Sequence, residues 1–178
     1  MLNSDFLAKF KRTTEAKWSE RSIDPTLYGF QIQRGTRWNL GLSDKQIAEY
    51  ASALAVIFPH DFRAFLRAMN GTDMATLNVY GCGGEPHRES VGVYSYPRDI
   101  EIVKQRMTDV DEERAKLTTT IMEQGFDLLP ETKLLPIYGH RYLACASNLE
   151  NSVVLSIHGG DAIVYGNSLK EYLEMEFL

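Results

Sequence analysis

Three observations predict an α+β domain. Helical patterns of period 3.6 dominate the chain before Gly125, and four short β-rich runs follow one another between Leu134 and Tyr165. Near the end, Ser168 and Glu171 stand at capping-box spacing ahead of a closing helix. Strands grouped after helices, rather than alternating with them, exclude a doubly wound α/β arrangement. The expected architecture is N-terminal helices packed on a mainly antiparallel sheet, formed largely by the C-terminal half and closed by a C-terminal helix. A chain of 178 residues can bury one sizeable core, so 1–178 reads as a single domain.

Ser4-Asp5 supplies an N-cap for a first helix within 1–21, with Phe6, Leu7, Phe10 and Trp18 available to bury. Ile23 to Trp38 is punctuated by Asp24-Pro25, Gly29 and Gly35, yet it carries Leu27, Tyr28, Phe30, Ile32 and Trp38. That is too apolar for a linker and reads as an ordered arm or short strand over the core. Ser43 opens a second helix, Gln46 completes a capping box, and Ile47, Tyr50, Ala51 and Leu54 form its buried stripe.

The stretch from Phe58 to Gly71 reads as one short helix. Pro59 suits the first turn, where a missing N–H costs nothing. Phe62, Phe65, Leu66 and Met69 fall at i, i+3, i+4 and i+7, while Arg63 and Arg67 point elsewhere. Asn70-Gly71, which tolerates positive φ, reads as the helix stop.

Leu77 to Tyr80 looks like a strand leading into Gly81-Cys82-Gly83-Gly84, and Val91 to Tyr96 is a further extended candidate. Helical composition spans Asp99 to Gln124, read as two pieces joined near Thr108-Asp109, with Gly125 ending the second. This places Asp109, Asp111, Glu112 and Glu113 in a first helical turn, where acids complement the dipole. The other reading of that run is a docking face for a basic partner. Leu134–Tyr138, Tyr142–Ala146, Val153–Ile157 and Ala162–Tyr165 are spaced as an antiparallel meander.

A net charge of −5 argues against the broad basic stripe that nonspecific nucleic-acid binding requires. No apolar run reaches the length of a membrane span, and Met1 to Lys17 lacks a signal-peptide core, so a cytoplasmic location is expected. Gly81 to Gly84 is followed by Glu85-Pro86 rather than by the lysine of a phosphate loop, and reads as a turn. Cys145 beside His140 or His158 allows a thiol nucleophile and base on paper. Leu143-Ala144-Cys145-Ala146 instead resembles a buried strand in which cysteine is a small hydrophobe. The four histidines are scattered, with no HxH or HExxH, so neither a metal nor another cofactor is expected. Tyr94 and Tyr96 share one strand face and suit either an interface or the core.

Trp38-Asn39-Leu40-Gly41-Leu42-Ser43-Asp44, Ile47, the Phe58–Leu66 segment and Asn70-Gly71 together resemble the SUKH superfamily. That group includes bacterial immunity proteins and Smi/Knr-type regulators of fungal cell-wall assembly. Leu134-Leu135-Pro136-Ile137, the later β-runs and Ser168 to Leu173 are similar to the family's closing half. The structural signature then consists of Trp38, Pro59, Phe62, Phe65, Leu66, Asn70 and Gly71. Where the family often has a glutamate and a Gly-hydrophobic pair, this chain has Tyr50-Ala51 and Val56-Ile57. Residues 90–126 are longer and more helical than the common core, and are read as an insertion.

The resemblance implies a protein-binding module without shared catalytic residues. Its partner would be a toxin domain of nuclease or deaminase type, covered at its active site, and the module itself a monomer or weak dimer. A Smi/Knr-type regulator or scaffold is the alternative, and a small cysteine hydrolase a third. Tyr94, Tyr96, Asp109, Asp111, Glu112 and Glu113 are the candidate partner contacts.

Overall fold

The computed structural model describes residues 2–79, 87–88, 92–146 and 152–178. The glycine turn at 81–84, with Cys82, lies outside the described residues, as does Val91. Helix α1 (Ser4–Glu20) is followed by strands β1 (Gly29–Ile32) and β2 (Trp38–Leu40), then helices α2 (Asp44–Leu54) and α3 (His60–Ala68). Strands β3 (Met69–Thr72), β4 (Thr76–Val79) and β5 (His87–Arg88) precede helices α4 (Ile100–Glu112) and α5 (Arg114–Met122). The chain ends with β6 (Lys133–Tyr138), β7 (Arg141–Cys145), β8 (Val154–His158), β9 (Asp161–Gly166) and helix α6 (Leu169–Phe177).

The last four strands form an antiparallel meander in sequence order, as their spacing predicts. Because strand side chains alternate between faces, the sheet feeds two cores. Leu135, Ile137, Leu143, Cys145 and Val154 pack with residues of α1, α2, α3 and α6. Leu134, Tyr142, Ala144, Leu155, Ile157 and Ala162 pack with Val110 of α4, Leu117 and Ile121 of α5, and Leu128. The sheet is therefore a middle layer between two groups of helices. The helical segment read as an insertion supplies the cover for one whole face.

Helix ends follow local chemistry, with one-residue surprises. The N-cap of α1 is Asn3, not Ser4: its Oδ1 accepts from the Phe6 amide at 2.8 Å. The α2 box is complete, with the Gln46 amide donating to Ser43 Oγ and the Ser43 amide to Gln46 Oε1. At α6 the Glu171 amide donates to Ser168 Oγ, but the Glu171 carboxylate reaches back to the Asn167 amide instead of Ser168. Gly125, at φ +84°, ends α5 as expected.

Two readings are corrected. Helix α3 begins at the Pro59 cap, and Phe62, Phe65 and Leu66 are buried along it, but it stops at Ala68. Met69, Asn70 and Gly71 are strand, pairing β3 with β2. The positive φ of Gly71 (+66°) is real, yet it serves a strand. An added Cβ there would strike the carbonyl oxygens of Tyr94 and Val93. Close backbone approach, not helix termination, is what the glycine provides. The second correction concerns the acidic run. The helices divide at Glu113, so Asp109, Asp111 and Glu112 occupy the last turn of α4 rather than the first turn of α5.

Trp38 ties the helical layer together. Its ring lies 5.2–5.8 Å, centroid to centroid, from those of Trp18, Phe177, Phe10 and Phe65. Its indole N–H donates to Thr14 Oγ1 at 2.8 Å, and that hydroxyl donates to the Phe10 carbonyl at 2.9 Å. A polar ring edge is thus buried with its hydrogen bond made, which keeps the burial favourable.

Candidate partner-binding surfaces

Most of the signature is structural. Trp38, Phe62, Phe65, Leu66, Asn70 and Gly71 are buried, and half-buried Pro59 caps α3, its carbonyl accepting from the Arg63 amide at 3.0 Å. Asn70 grips the segment after β5: Oδ1 accepts from the Tyr96 amide and Nδ2 donates to the Tyr96 carbonyl. Beside it, the Ser95 amide donates to Asp99 Oδ2, and Arg98 forks onto both Asp99 oxygens while also reaching the Thr72 carbonyl.

That clamp decides the fate of the two tyrosines. Tyr94 is only 6% exposed and belongs to the core, so it offers no partner face. Tyr96 is half-buried and stacks on Tyr50 at 4.7 Å. Of the extended segment expected at 91–96, the described part contributes a single bridge, Val93 to Tyr138. Tyr50, standing where the resemblance led one to look for a glutamate, is itself a core ring.

The acidic residues lie on the surface. Asp109, Asp111, Glu112 and Glu113 are all exposed at the α4–α5 junction. Asp111 pairs with Arg114 at 3.0 Å and Lys133 at 3.8 Å, and Asp109 accepts from Gln105. These carboxylates sit where the negative pole of α4 meets the positive pole of α5, whose N-cap is Glu113, so the two helix ends act on them in opposite senses.

Two further surfaces were not evident from sequence. Between α2 and α3 runs a groove of about 440 Å³, floored by Ile47, Ala51, Val56 and Phe58. Ile57 is 69% exposed at its edge, and Arg63, Arg67 and Asp44 line its rim, with Arg67 donating to Asp44 at 2.7 Å. The second surface is a cleft of about 200 Å³ lined by Tyr28, Gly29, Phe30, Tyr138, His140, Arg141 and Glu176. In sequence these residues are scattered over the arm, a hairpin turn and α6, and only His140 carried any chemical signal.

The thiol-nucleophile reading loses its geometry. Cys145 is 2% exposed and its thiol donates to the Leu143 carbonyl at 3.6 Å. Burial pushes its pKa far up, away from the thiolate. His140 sits beyond the other end of β7, about 17 Å along the strand at roughly 3.4 Å per residue. Among the described residues, no group of three or more His, Cys, Asp or Glu side chains could hold a metal ion. Within that same set, no helix is long and apolar enough to cross a membrane.

A helix-braced antiparallel meander with grooved and charged outer faces defines a small α+β domain. The chain belongs to the SMI1 / KNR4 family (SUKH-1), whose pattern it matches over residues 41–175. That span runs from the entry of α2 through most of α6, and α1, β1 and β2 precede it. Members of this family are generally non-catalytic and are consistent with toxin immunity or with Smi/Knr-type roles. A comparison with curated proteins gave no match.

Proposed function

We propose that this chain is a non-enzymatic immunity module that neutralises a cognate bacterial toxin in the cytoplasm by covering its active cleft. The observation that carries this reading is the family match over residues 41–175. The exposed carboxylates of Asp109, Asp111, Glu112 and Glu113 support a basic partner, since nuclease clefts must attract phosphates. Complementary charge across such a contact raises association rates.

The regulatory-scaffold alternative draws on the same family. Its docking element would be residues 90–126, but Val110, Leu117 and Ile121 of that segment are core, so only its outer face is free to dock. The deciding experiment is co-expression with the toxin domain encoded beside this chain's gene, followed by pull-down and a survival assay. Protection that is lost when Asp109, Glu112 and Glu113 are changed to Asn and Gln supports the proposal. Binding without protection favours the scaffold, and neither binding nor protection overturns the immunity reading.

A further inference from the structure

Asp44 at the start of α2 accepts from Arg67 near the end of α3, so the two helices run antiparallel and the groove between them extends from that pair to the Val56-Ile57 loop. Ala55 caps α2 with a positive φ of 51°, a turn after which Val56 is buried and Ile57 stands out to solvent. The α2 wall presents Ala48 and Ala51, small side chains that let another helix approach closely. Leu40, opposite Met69 in the β2–β3 register and so just past the Arg67 end, is 86% exposed. An apolar floor with an exposed aliphatic side chain at each end is an unfilled packing surface.

The charged lining residues are Asp44, Arg63 and Arg67, two cations against one anion in a chain of net charge −5. Arg63 and Arg67 stand i, i+4 on α3 and form one ridge along the groove. Arg63 has no ion pair and no side-chain hydrogen bond among the described residues. Arg67 is paired, but the Asp44 side chain is 79% exposed, so water competes for that contact and the pair is weak. Asp44 also has its own place in the first turn of α2, where an acid complements the helix dipole. An acidic flank on the occupant is what this ridge lacks.

Both walls are helices whose backbones are bonded internally, so an extended segment would find no strand edge to pair with here. At 1.5 Å per residue α2 and α3 are about 16 and 13 Å long, which matches two turns of a third helix whose apolar residues at i, i+3, i+4 and i+7 span about 10 Å. A second copy of this chain lacks such a stripe. Among the described residues each helix turns at most one large apolar side chain to solvent, Met122 on α5 and Met175 on α6. We infer that the groove receives an amphipathic helix of the protein partner, its apolar stripe on Ile47, Ala51, Val56 and Phe58 and its acidic flank along Arg63 and Arg67. The inference rests on the protein-binding reading and adds a contact to it. Helices α2 and α3 pack on the face of the meander opposite α5, so this groove and the acidic α4–α5 junction belong to different helical layers.

The test titrates the full chain with an acetylated peptide of about 15 residues, long enough to hold a helix, carrying Leu at i, i+3, i+4 and i+7 and Glu along one flank. The controls are the same composition scrambled to break the stripe, and the same stripe with Lys in place of Glu. Methyl NMR is expected to show the first peptide shifting Ile47, Val56 and Ile57, with neither control doing so. Arg63→Glu should weaken binding roughly tenfold and let the Lys peptide bind. If Arg63→Glu fails to fold, Ala48→Glu at an exposed helical position gives the second reading, since it fills the α2 wall and should weaken binding at least as much. No shift at the groove, equal shifts from either control, or groove shifts that grow with chain concentration alone, which would mark a second copy as the occupant, overturn the inference. A groove that ignores the peptide in a chain that still protects against its toxin overturns this contact alone and leaves the immunity reading standing. A chain that takes the peptide but neither binds nor protects against the toxin overturns the immunity reading and leaves the groove assignment supported.

Discussion

Asn70 holds Tyr96 with both ends of one amide, accepting from its backbone N–H at 2.9 Å and donating to its carbonyl at 2.6 Å. The side chain imitates a neighbouring strand across 26 residues of sequence. It joins β3 to the turn that launches α4, so one side chain couples the two helical layers.

Replacing that amide by a carboxylate keeps the shape and removes the donor. Asn70→Asp leaves the Tyr96 carbonyl unpaired beside a buried negative charge, and is expected to cost about 1–3 kcal/mol. Urea denaturation should show a lower midpoint with an unchanged slope. An unaltered midpoint would show that the clamp contributes nothing to stability.

Gly71 and Gly125 both have positive φ, and they separate backbone strain from close approach. At Gly125 nothing lies within 4 Å of an added Cβ, so Gly125→Ala should cost only the left-handed strain of about 1–2 kcal/mol. At Gly71 the same Cβ strikes two carbonyl oxygens that belong to the backbone. Gly71→Ala should add roughly 1–3 kcal/mol of overpacking to that strain. Thermal unfolding of the two variants side by side checks the order, and equal losses would refute the close-approach argument.

These positions also show where sequence reading works and where it stops. The meander was legible because each strand is a β-rich run bounded by turn residues, and the closing helix because Ser168 caps it. Asn70-Gly71 was half legible. The dipeptide does announce a positive φ, but what makes the glycine necessary is Tyr94, a residue met only in three dimensions. The acidic run was misplaced because four acids within five residues suggest a helix start by dipole logic, whereas the break fell at the last of them, Glu113. The cleft beside β7 left almost no trace, since Phe30, His140, Arg141 and Glu176 come together from separate parts of the chain.

Cys145 gives a direct check on the buried sheet. Its thiol is enclosed in the helical core cluster, and burial raises its pKa, so thiolate is scarce at ordinary pH. In a Cys82→Ser background, iodoacetamide should label Cys145 at least about tenfold more slowly in the native protein than in urea. Rapid native labelling would revive a reactive-thiol role and contradict the packing of β7 against α6.

The last prediction concerns acid. His140 has a folded-state value near 4 against an ordinary value of 6.5, so between those limits the unfolded chain binds more protons than the native one. Stability therefore rises with pH across that window. Its loss begins as pH falls below the unfolded value, grows toward pH 4 and is complete below it. The causes are burial first, then the positive charges of Arg141, His158 and Arg106. His140→Gln removes the titration while keeping a polar side chain in the turn, so the variant should lose less stability than the parent on acidification from about pH 7 to pH 4.5. Urea midpoints at several pH values measure the difference. Parallel curves for the two proteins would mean that His140 titrates normally, and that the cations around it are screened by water rather than held against it.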